Sequence, residues 1–271
     1  MMRLKMLTLY HYDRSTAAQR VRLSLEEKRL EWKSVIIDTA IGDASQRPDN
    51  YHDLNPNGLI PLITHGDFSM PESNLILEYL EDAFPKRNPL RPKLARDKAV
   101  MRLWMRRIED GIHVASRTIG VCIVNRHIYN QVDKNKLADY YADMRDAVRK
   151  NNDQINIETG LSSPLLKPSL KAFKKLFHEM DAQLKDTPWL AGQEFSLADV
   201  SLVVYITRLS SFQMSPLWAD LSHLRGWFDR IQQRNSYQKG VVEWGDITAQ
   251  KRKTEGLAAF EAIEALWRAP D

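Results

Sequence analysis

Residues 55–63 read Asn55-Pro56-Asn57-Gly58-Leu59-Ile60-Pro61-Leu62-Ile63, a run of strand-forming residues interrupted by a proline. Proline has no N–H to donate to a sheet. Pro61 therefore stands either in an edge strand with a trans peptide or after a cis Ile60-Pro61 bond. With a cis bond, the backbone N–H and C=O of Ile60 can both pair with an extended ligand, so this segment is a candidate binding edge.

The flanking residues predict a small mixed sheet with two helices. Strand-forming runs lie at residues 7–12, 31–37, 59–63 and 68–70, and the last two are joined by the turn His65-Gly66-Asp67. Apolar residues recur with helical spacing after the first strand and again from Glu72 to Phe84. The order β-α-β followed by β-β-α implies one parallel strand pair and a closing antiparallel hairpin.

The chain changes character at the proline-rich, charged segment 85–92. Beyond it, nearly every pattern is helical, and Ser196 with Asp199 forms a capping-box pattern behind Phe195. We therefore predict an α/β domain at residues 1–85, a linker at residues 86–92 and an all-helical domain at residues 93–271.

Composition excludes several classes of function. The 39 basic and 35 acidic residues leave a net charge of only +4, and the basic residues are not gathered into one long cluster. The single cysteine, Cys122, excludes a disulfide framework and a dithiol pair. The seven histidines form no HExxH pair, and no apolar run reaches the ~20 residues of a membrane helix. We expect a soluble, cytoplasmic protein that binds no metal, nucleic acid or membrane.

Hydroxyl side chains stand at the expected starts of both helices of the first domain. Ser15 follows the first strand, and Ser73 follows Pro71 and Glu72. The first N–H groups of a helix lack partners and its N-terminus is positive, so these positions can hold a carboxylate or favour a thiolate. Glu72 could accept from an ammonium group. Taken singly, each serine is more often an ordinary helix cap.

Together these segments resemble the glutathione transferase superfamily. The resemblance rests on residues 12–22, 55–61 and 71–73, and on Trp189-Leu190-Ala191-Gly192 followed by Phe195-Ser196-Leu197-Ala198-Asp199. It implies a thioredoxin-like first domain, an all-helical second domain, glutathione as co-substrate and a homodimer.

The first motif, Arg14-Ser15-Thr16 followed by Arg20-Val21-Arg22, is closest to the serine-type, zeta-like form of the superfamily. The resemblance implies that Ser15 activates the thiol and that Thr16 assists. It implies five glutathione-binding residues, which are His52 at the glycyl end, Ile60 and Pro61 at the cysteinyl backbone, and Glu72 and Ser73 at the γ-glutamyl group. Leu59 departs from the pattern, because a Gln or Lys is common at that position.

The long second domain resembles that of bacterial glutathione-dependent β-aryl etherases, notably in residues 90–92, 101–104, 116–120 and in the insert 121–168. This implies a small hydrophobic electrophile and, in the etherase version, thiolytic cleavage of a β-aryl ether. The candidate substrate-lining residues, each of which could instead be core, are Trp104, Ile108, Gly111, Ile112 and Ala115. Three aromatic residues of the tail, Trp244, Phe260 and Trp267, are candidates for covering that site.

Three other functions are alternatives. A ligand-binding protein on the same scaffold would keep Ser15, Glu72 and Ser73 without turnover. A zeta-like isomerase fits Ser15-Thr16, although the enlarged second domain disfavours it. Thiol–disulfide exchange requires a cysteine at the position of Ser15, whereas Cys122 lies in an apolar run typical of the core.

Overall fold

The computed structural model of the protein describes residues 6–37, 51–244 and 248–270. Its strands are β1 (Leu7–His11), β2 (Trp32–Ile36), β3 (Leu62–His65) and β4 (Phe68–Pro71). Its helices are α1 (Thr16–Glu27), α2 (Tyr51–Leu54), α3 (Ser73–Ala83), α4 (Ala95–Arg107), α5 (His113–Gly120), α6 (Arg126–Tyr129), α7 (Lys134–Asp143), α8 (Ala147–Thr159), α9 (Leu166–Asp186), α10 (Leu197–Ser211), α11 (Ser222–Gln232), α12 (Asn235–Tyr237) and α13 (Ala249–Arg268). Wider, π-helical turns occupy Ile108–Ile112, Val121–Asn125 and Gln238–Val242.

The four strands form one sheet in the order β2-β1-β3-β4. Strand β1 runs parallel to β2 and antiparallel to β3, and β3 pairs with β4 as a hairpin. This confirms the predicted β-α-β and β-β-α order, with a helical chain beyond it.

The third strand begins later than predicted. It starts at Leu62 rather than at residue 59. The carbonyl of Leu59 instead accepts hydrogen bonds from the Tyr51 hydroxyl and the Asn55 amide, each at 2.6 Å. The Leu59 carbonyl thus bonds to side chains, and Pro61 has no N–H to donate to the sheet. Residues 59–61 therefore form a loop ahead of β3.

Residue contacts divide the chain into two compact units. The first contains residues 1–105, 189–204 and 229–246, and the second contains residues 106–188, 205–228 and 247–271. The predicted domain limits at residues 85 and 93 concern the order along the chain and stay a prediction.

The first unit has apolar clusters that involve both faces of the sheet. The larger joins β1 and β3 to α1 and α3, and its buried members are Leu7, Leu9, Val21, Leu25, Ile63, Ile76 and Leu80. Burying each such side chain contributes about 1.5–3 kcal/mol. A smaller cluster of Ile37, Tyr51 and Leu62 fixes the start of β3. The clusters set the positions of the helix and strand ends from which the site is built.

The predicted capping box in the same unit is confirmed. The backbone N–H and hydroxyl of Ser196 both donate to the Asp199 carboxylate, at 2.9 and 3.0 Å, as α10 begins. The same carboxylate accepts from the Leu190 N–H at 3.0 Å. Asp199 is fully buried, and these donors bond to its side-chain oxygens in place of water.

The second unit is helical. Helix α9 buries Phe173, Phe177 and Met180 as its periodicity predicts, and the Phe177 ring lies 4.9 Å from that of Trp218. The chain is kinked at Gly111, whose φ of 134° lies where glycine is favoured. In the part of the chain that the structure describes, no helix has both the length and the apolar character needed to cross a membrane.

Candidate active site

Three predicted site segments meet at one end of the sheet. Tyr10 of β1 pairs with Leu62 of β3, and Leu62 pairs with Pro71 of β4. Because both pairs are antiparallel, the end of β1, the start of β3 and the end of β4 lie along the same edge. Ser15, the Ile60-Pro61 bond and Glu72-Ser73 follow or precede these three strand ends. The topology therefore gathers residues that are up to 58 positions apart in the chain.

Ser15 caps helix α1 and keeps a proton to donate. Its side-chain Oγ accepts the Ala18 N–H at 3.2 Å, and its own N–H donates to the Tyr12 carbonyl at 3.3 Å. The side chain is half-buried, whereas that of Thr16 is buried. Since Oγ is the acceptor in the cap, its O–H remains a donor toward a ligand. Capping and ligand binding are thus compatible at Ser15.

The Ile60-Pro61 peptide is cis. Pro61 is buried and Ile60 half-buried at the start of β3. His52 lies on the short helix α2, exposed to solvent, and its ring meets the edge of Tyr51 at 6.5 Å between centroids. Of the cis and trans alternatives that the sequence leaves open, the structure has the cis form.

Glu72 and Ser73 occupy the start of helix α3. Glu72 is exposed and has a φ of 70°, so its backbone turns sharply before the helix begins. Ser73 is buried, and its Oγ accepts a hydrogen bond from the guanidinium of Arg20. Arg20 also donates to the side-chain oxygen of Asn74 at 2.6 Å.

A buried cation therefore lies behind the positive end of helix α3. Arg20 is 4% exposed, and it joins α1 to the first turn of α3. The Ser73 hydroxyl accepts from Arg20 and so can donate its own proton outward. Helix dipole, guanidinium and hydroxyl together favour an anionic group at this position. Arg20 belongs to the first motif, but its role was not predicted, because its partners are more than 50 residues away in sequence.

Two family models match this chain. The model of the glutathione S-transferase N-terminal domain matches residues 9–88, and that of the C-terminal domain matches residues 161–235. Together they cover more than half of the sequence.

The chain belongs to the glutathione S-transferase family.

Similar proteins agree with this assignment. "Glutathione S-transferase TCHQD" of Arabidopsis thaliana is 28% identical over 87% of this chain and 89% of its own length. The crystal structure of the β-etherase LigF from Sphingobium sp. strain SYK-6 has a TM-score of 0.78 at 23% identity, covering 88% of this chain and 99% of that one. A theta-class glutathione S-transferase from Xanthomonas axonopodis pv. citri, solved with glutathione bound, has a TM-score of 0.61 at 22% identity, covering 88% and 98%.

The candidate second-substrate residues of this transferase-family chain are mostly buried. Trp104 is 8% exposed and belongs to the first unit. The other four lie in the second unit, at the kink and on α5; these are Ile108, Gly111, Ile112 and Ala115. Ile108, Ile112 and Ala115 are each at most 6% exposed. Their role as substrate-lining residues stays a prediction.

Cys122 is a poor candidate for thiol chemistry in this family member. The side chain is buried within the π-helical turn Val121–Asn125. Burial raises the pKa of the Cys122 thiol to about 12, which keeps it protonated at neutral pH. A thiol in this state does not serve as a nucleophile.

Arg22 of the first motif and Trp244 of the tail form a second group, and the sequence did not predict their contact. Arg22 is fully buried on α1, and its Cζ lies 4.9 Å from the centre of a Trp244 ring. Burial lowers the pKa of Arg22 to about 9, so it is still a cation at neutral pH. Trp244 also meets the edge of His11 at 4.6 Å. The candidate tail residue Trp244 thus packs on the end of β1 and on α1.

Proposed function

We propose that this chain is a glutathione transferase in which the Ser15 hydroxyl holds the glutathione sulfur as a thiolate. The single observation that carries the proposal is the gathering of Ser15, Ile60-Pro61 and Glu72-Ser73 at one sheet edge, with Arg20 behind Ser73. Glutathione, the co-substrate of this family, supplies the nucleophile. The chain itself therefore needs no reactive cysteine.

The polar groups at the sheet edge suit the carboxylate and the ammonium of a γ-glutamyl group. Ser73, backed by Arg20 and the positive end of α3, would hold its carboxylate. The exposed carboxylate of Glu72 would accept from its ammonium. Ile60 would pair with the cysteinyl backbone, and the cis bond to Pro61 would leave the N–H and C=O of Ile60 available for this pairing. His52 would lie toward the glycyl end.

Ser15 would lower the pKa of the bound thiol by donating to the ionised sulfur. A hydrogen bond to a charged group contributes about 1.5–3 kcal/mol. Since one pKa unit corresponds to about 1.4 kcal/mol, the Ser15 hydroxyl would lower the thiol pKa by roughly 1–2 units. Thr16 is buried at the first position of α1, so its contribution would come through packing and its backbone N–H.

The reaction proposed is nucleophilic displacement at carbon. Ser15 holds the sulfur beside the electrophilic carbon, a C–S bond forms, and the bond to the leaving group breaks with its electron pair. In the finer version, the substrate is a β-aryl ether with a neighbouring carbonyl, and the leaving group is a phenoxide that takes up a proton from water. The similarity to the β-etherase structure supports testing this substrate first.

Further proposals concern the electrophile and the assembly. The electrophile would be small and hydrophobic, lying against Trp104, Ile108, Gly111, Ile112 and Ala115. The chain would act as a homodimer. A non-catalytic glutathione-binding protein is the competing function, since Ser15, Glu72 and Ser73 serve binding as well as turnover.

Ser15→Ala is the decisive change for this proposal. We expect retention on immobilised glutathione to persist, and kcat/KM at pH 7 to fall about 10- to 100-fold because the thiolate loses a donor worth 1.5–3 kcal/mol. The measurement is turnover with glutathione against a panel of β-aryl ethers, haloalkanes, a chloronitroarene and an organic hydroperoxide.

Thr16→Val provides a matched control at the neighbouring hydroxyl, and urea unfolding verifies that both variants are folded. Wild-type turnover in Ser15→Ala would remove Ser15 from its role. Retention on glutathione without turnover of any panel member would favour the binding protein instead.

A further inference from the structure

The guanidinium of Arg22 connects the loop before Ser15 to a distant segment of the chain. Its Nη1 donates to the Tyr12 carbonyl at 3.1 Å, and its Nη2 donates to the Asp13 carbonyl at 2.9 Å. Its Nε donates to the Gly240 carbonyl at 2.8 Å. Five N–H groups in a rigid plane suit this task, because each direction meets a separate acceptor.

His11 completes the setting of Arg22. Its Nδ1 lies 3.0 Å from Arg22 Nη1, which can only donate, so Nδ1 is the acceptor. The proton of the neutral ring therefore resides on Nε2, which donates to the Ser34 hydroxyl at 2.9 Å. The ring lies edge-on to Trp244, whose face also covers Arg22. The guanidinium is thus surrounded by carbonyls, an imidazole and an aromatic face.

Gly240 permits the close approach of this segment to α1. A Cβ built there would lie 2.9 Å from both the backbone N and the Cα of Leu23. Real Cβ atoms do not approach backbone so closely, so a larger residue at 240 would push the turn Gln238–Val242 away from Arg22. Gly240 and Arg22 are 218 residues apart, yet their bond is fully buried.

The arrangement has a direct consequence for Ser15. The two carbonyls held by Arg22 belong to residues 12 and 13, and the Tyr12 carbonyl also accepts the Ser15 N–H. A shift of the loop therefore moves the Ser15 hydroxyl. Displacement of a reacting group by about 1 Å can cost about 100-fold in rate.

We propose that Arg22 is a positioning residue for Ser15, and that the segment 238–244, through its contacts with Arg22, helps to position the Ser15 hydroxyl. This inference rests on the proposed function. Arg22 acts through the loop rather than on the sulfur itself, so its loss should change the ionisation of bound thiol more than the affinity for glutathione.

A second arginine of the same region offers a matched control. Arg234 donates from Nε and Nη2 to the carboxylate of Glu27, at 2.6 and 2.9 Å. This pair also joins the carboxy-terminal part of the first unit to α1, but at the last residue of the helix. Arg234→Lys weakens this comparable ion pair without affecting the hydrogen bonds to the carbonyls of residues 12 and 13.

The test compares Arg22→Lys with Arg234→Lys and Ser15→Ala. The readout is the pKa of the glutathione thiol bound to each full-length variant, followed by the ultraviolet absorbance of the thiolate against pH. For Arg22→Lys we expect that pKa to rise by about 1 unit, because a single ammonium cannot hold three diverging acceptors. At pH 6.5, kcat should fall about tenfold and recover as pH rises, while KM for glutathione changes less than about threefold. Arg234→Lys should leave the thiol pKa unchanged.

Trp244→Leu is a second route to the same result if Arg22→Lys does not fold, since it removes the aromatic face and keeps the guanidinium. Unchanged thiol ionisation in the folded Arg22 or Trp244 variant, with a shift in Ser15→Ala, overturns this inference alone. An equal shift in Arg234→Lys also overturns it, because the effect would then be general loosening. A wild-type chain that gives no thiolate signal overturns the proposed function itself.

Discussion

At the scale of single residues, His11 links the stability of the first unit to pH. Burial, together with the neighbouring Arg22 cation, lowers the pKa of His11 to about 3. An unfolded histidine titrates near 6.5, so between these values only the unfolded chain takes up the proton. The stabilising contribution of neutral His11 is therefore complete above pH 6.5 and is lost as pH falls toward 3.

We expect this residue to remove about 2 kcal/mol of unfolding free energy between pH 7 and pH 5. Urea unfolding of the wild type and of His11→Asn at both pH values measures it. Asparagine retains an acceptor for Arg22 but does not titrate. The difference in pH dependence between the two proteins isolates His11 from the carboxylates, and identical pH dependence would contradict the assignment.

Local sequence patterns predict some residues of the candidate site but not others. Ser15, Glu72 and Ser73 could be predicted because a hydroxyl or acid beside a helix start has a local signature. The partners of Arg20 lie 53 and 54 residues away, and one of the partners of Arg22, the Gly240 carbonyl, lies 218 residues away. Such contacts depend on which elements pack together, and a spacing pattern read along one segment does not contain them.

At the scale of elements, the packing of helix α13 is set by a glycine. A Cβ at Gly256 would lie 2.2 Å from the carbonyl oxygen of Phe212, which is backbone and cannot rotate away. Helix propensity alone favours alanine over glycine by about 1 kcal/mol in a helix interior. Overpacking against a fixed neighbour costs about 1–3 kcal/mol or more. The steric effect should therefore prevail.

We expect Gly256→Ala to lower the free energy of unfolding by about 1–2 kcal/mol, measured by urea denaturation. Ala258→Gly on the exposed face of the same helix is the control, and it should cost about 1 kcal/mol through propensity. A more stable Gly256→Ala protein would mean that propensity prevails and that α13 does not pack this closely.

Elements with a strong period or a definite turn were predictable, and the irregular ones were not. Strands β1, β2 and β4 and helices α1 and α3 lie close to their predicted places, because alternation, helical spacing and the His65-Gly66-Asp67 turn act over a few residues. The predicted start of β3 was wrong, because the side chains of Tyr51 and Asn55 donate hydrogen bonds to the Leu59 carbonyl. The π-helical turns had no sequence signal that we recognised.

At the scale of the whole molecule, the first unit carries apolar side chains that one chain leaves in water. Phe68 on β4, Leu75 on α3 and Leu103 on α4 are 42%, 57% and 67% exposed. Removing apolar surface from water yields about 25 cal/mol per Å², so contact with a second chain that covers these residues would be stabilising.

We expect a homodimer, which light scattering after gel filtration would record as the mass of two 31.4 kDa chains. The double substitution Leu75→Arg and Leu103→Arg should convert it to the monomer. Val148→Arg, at an equally exposed apolar residue of the second unit, is the control and should leave the dimer intact. A wild-type monomer at every concentration, or dissociation caused by Val148→Arg alone, would rule out an interface at these residues.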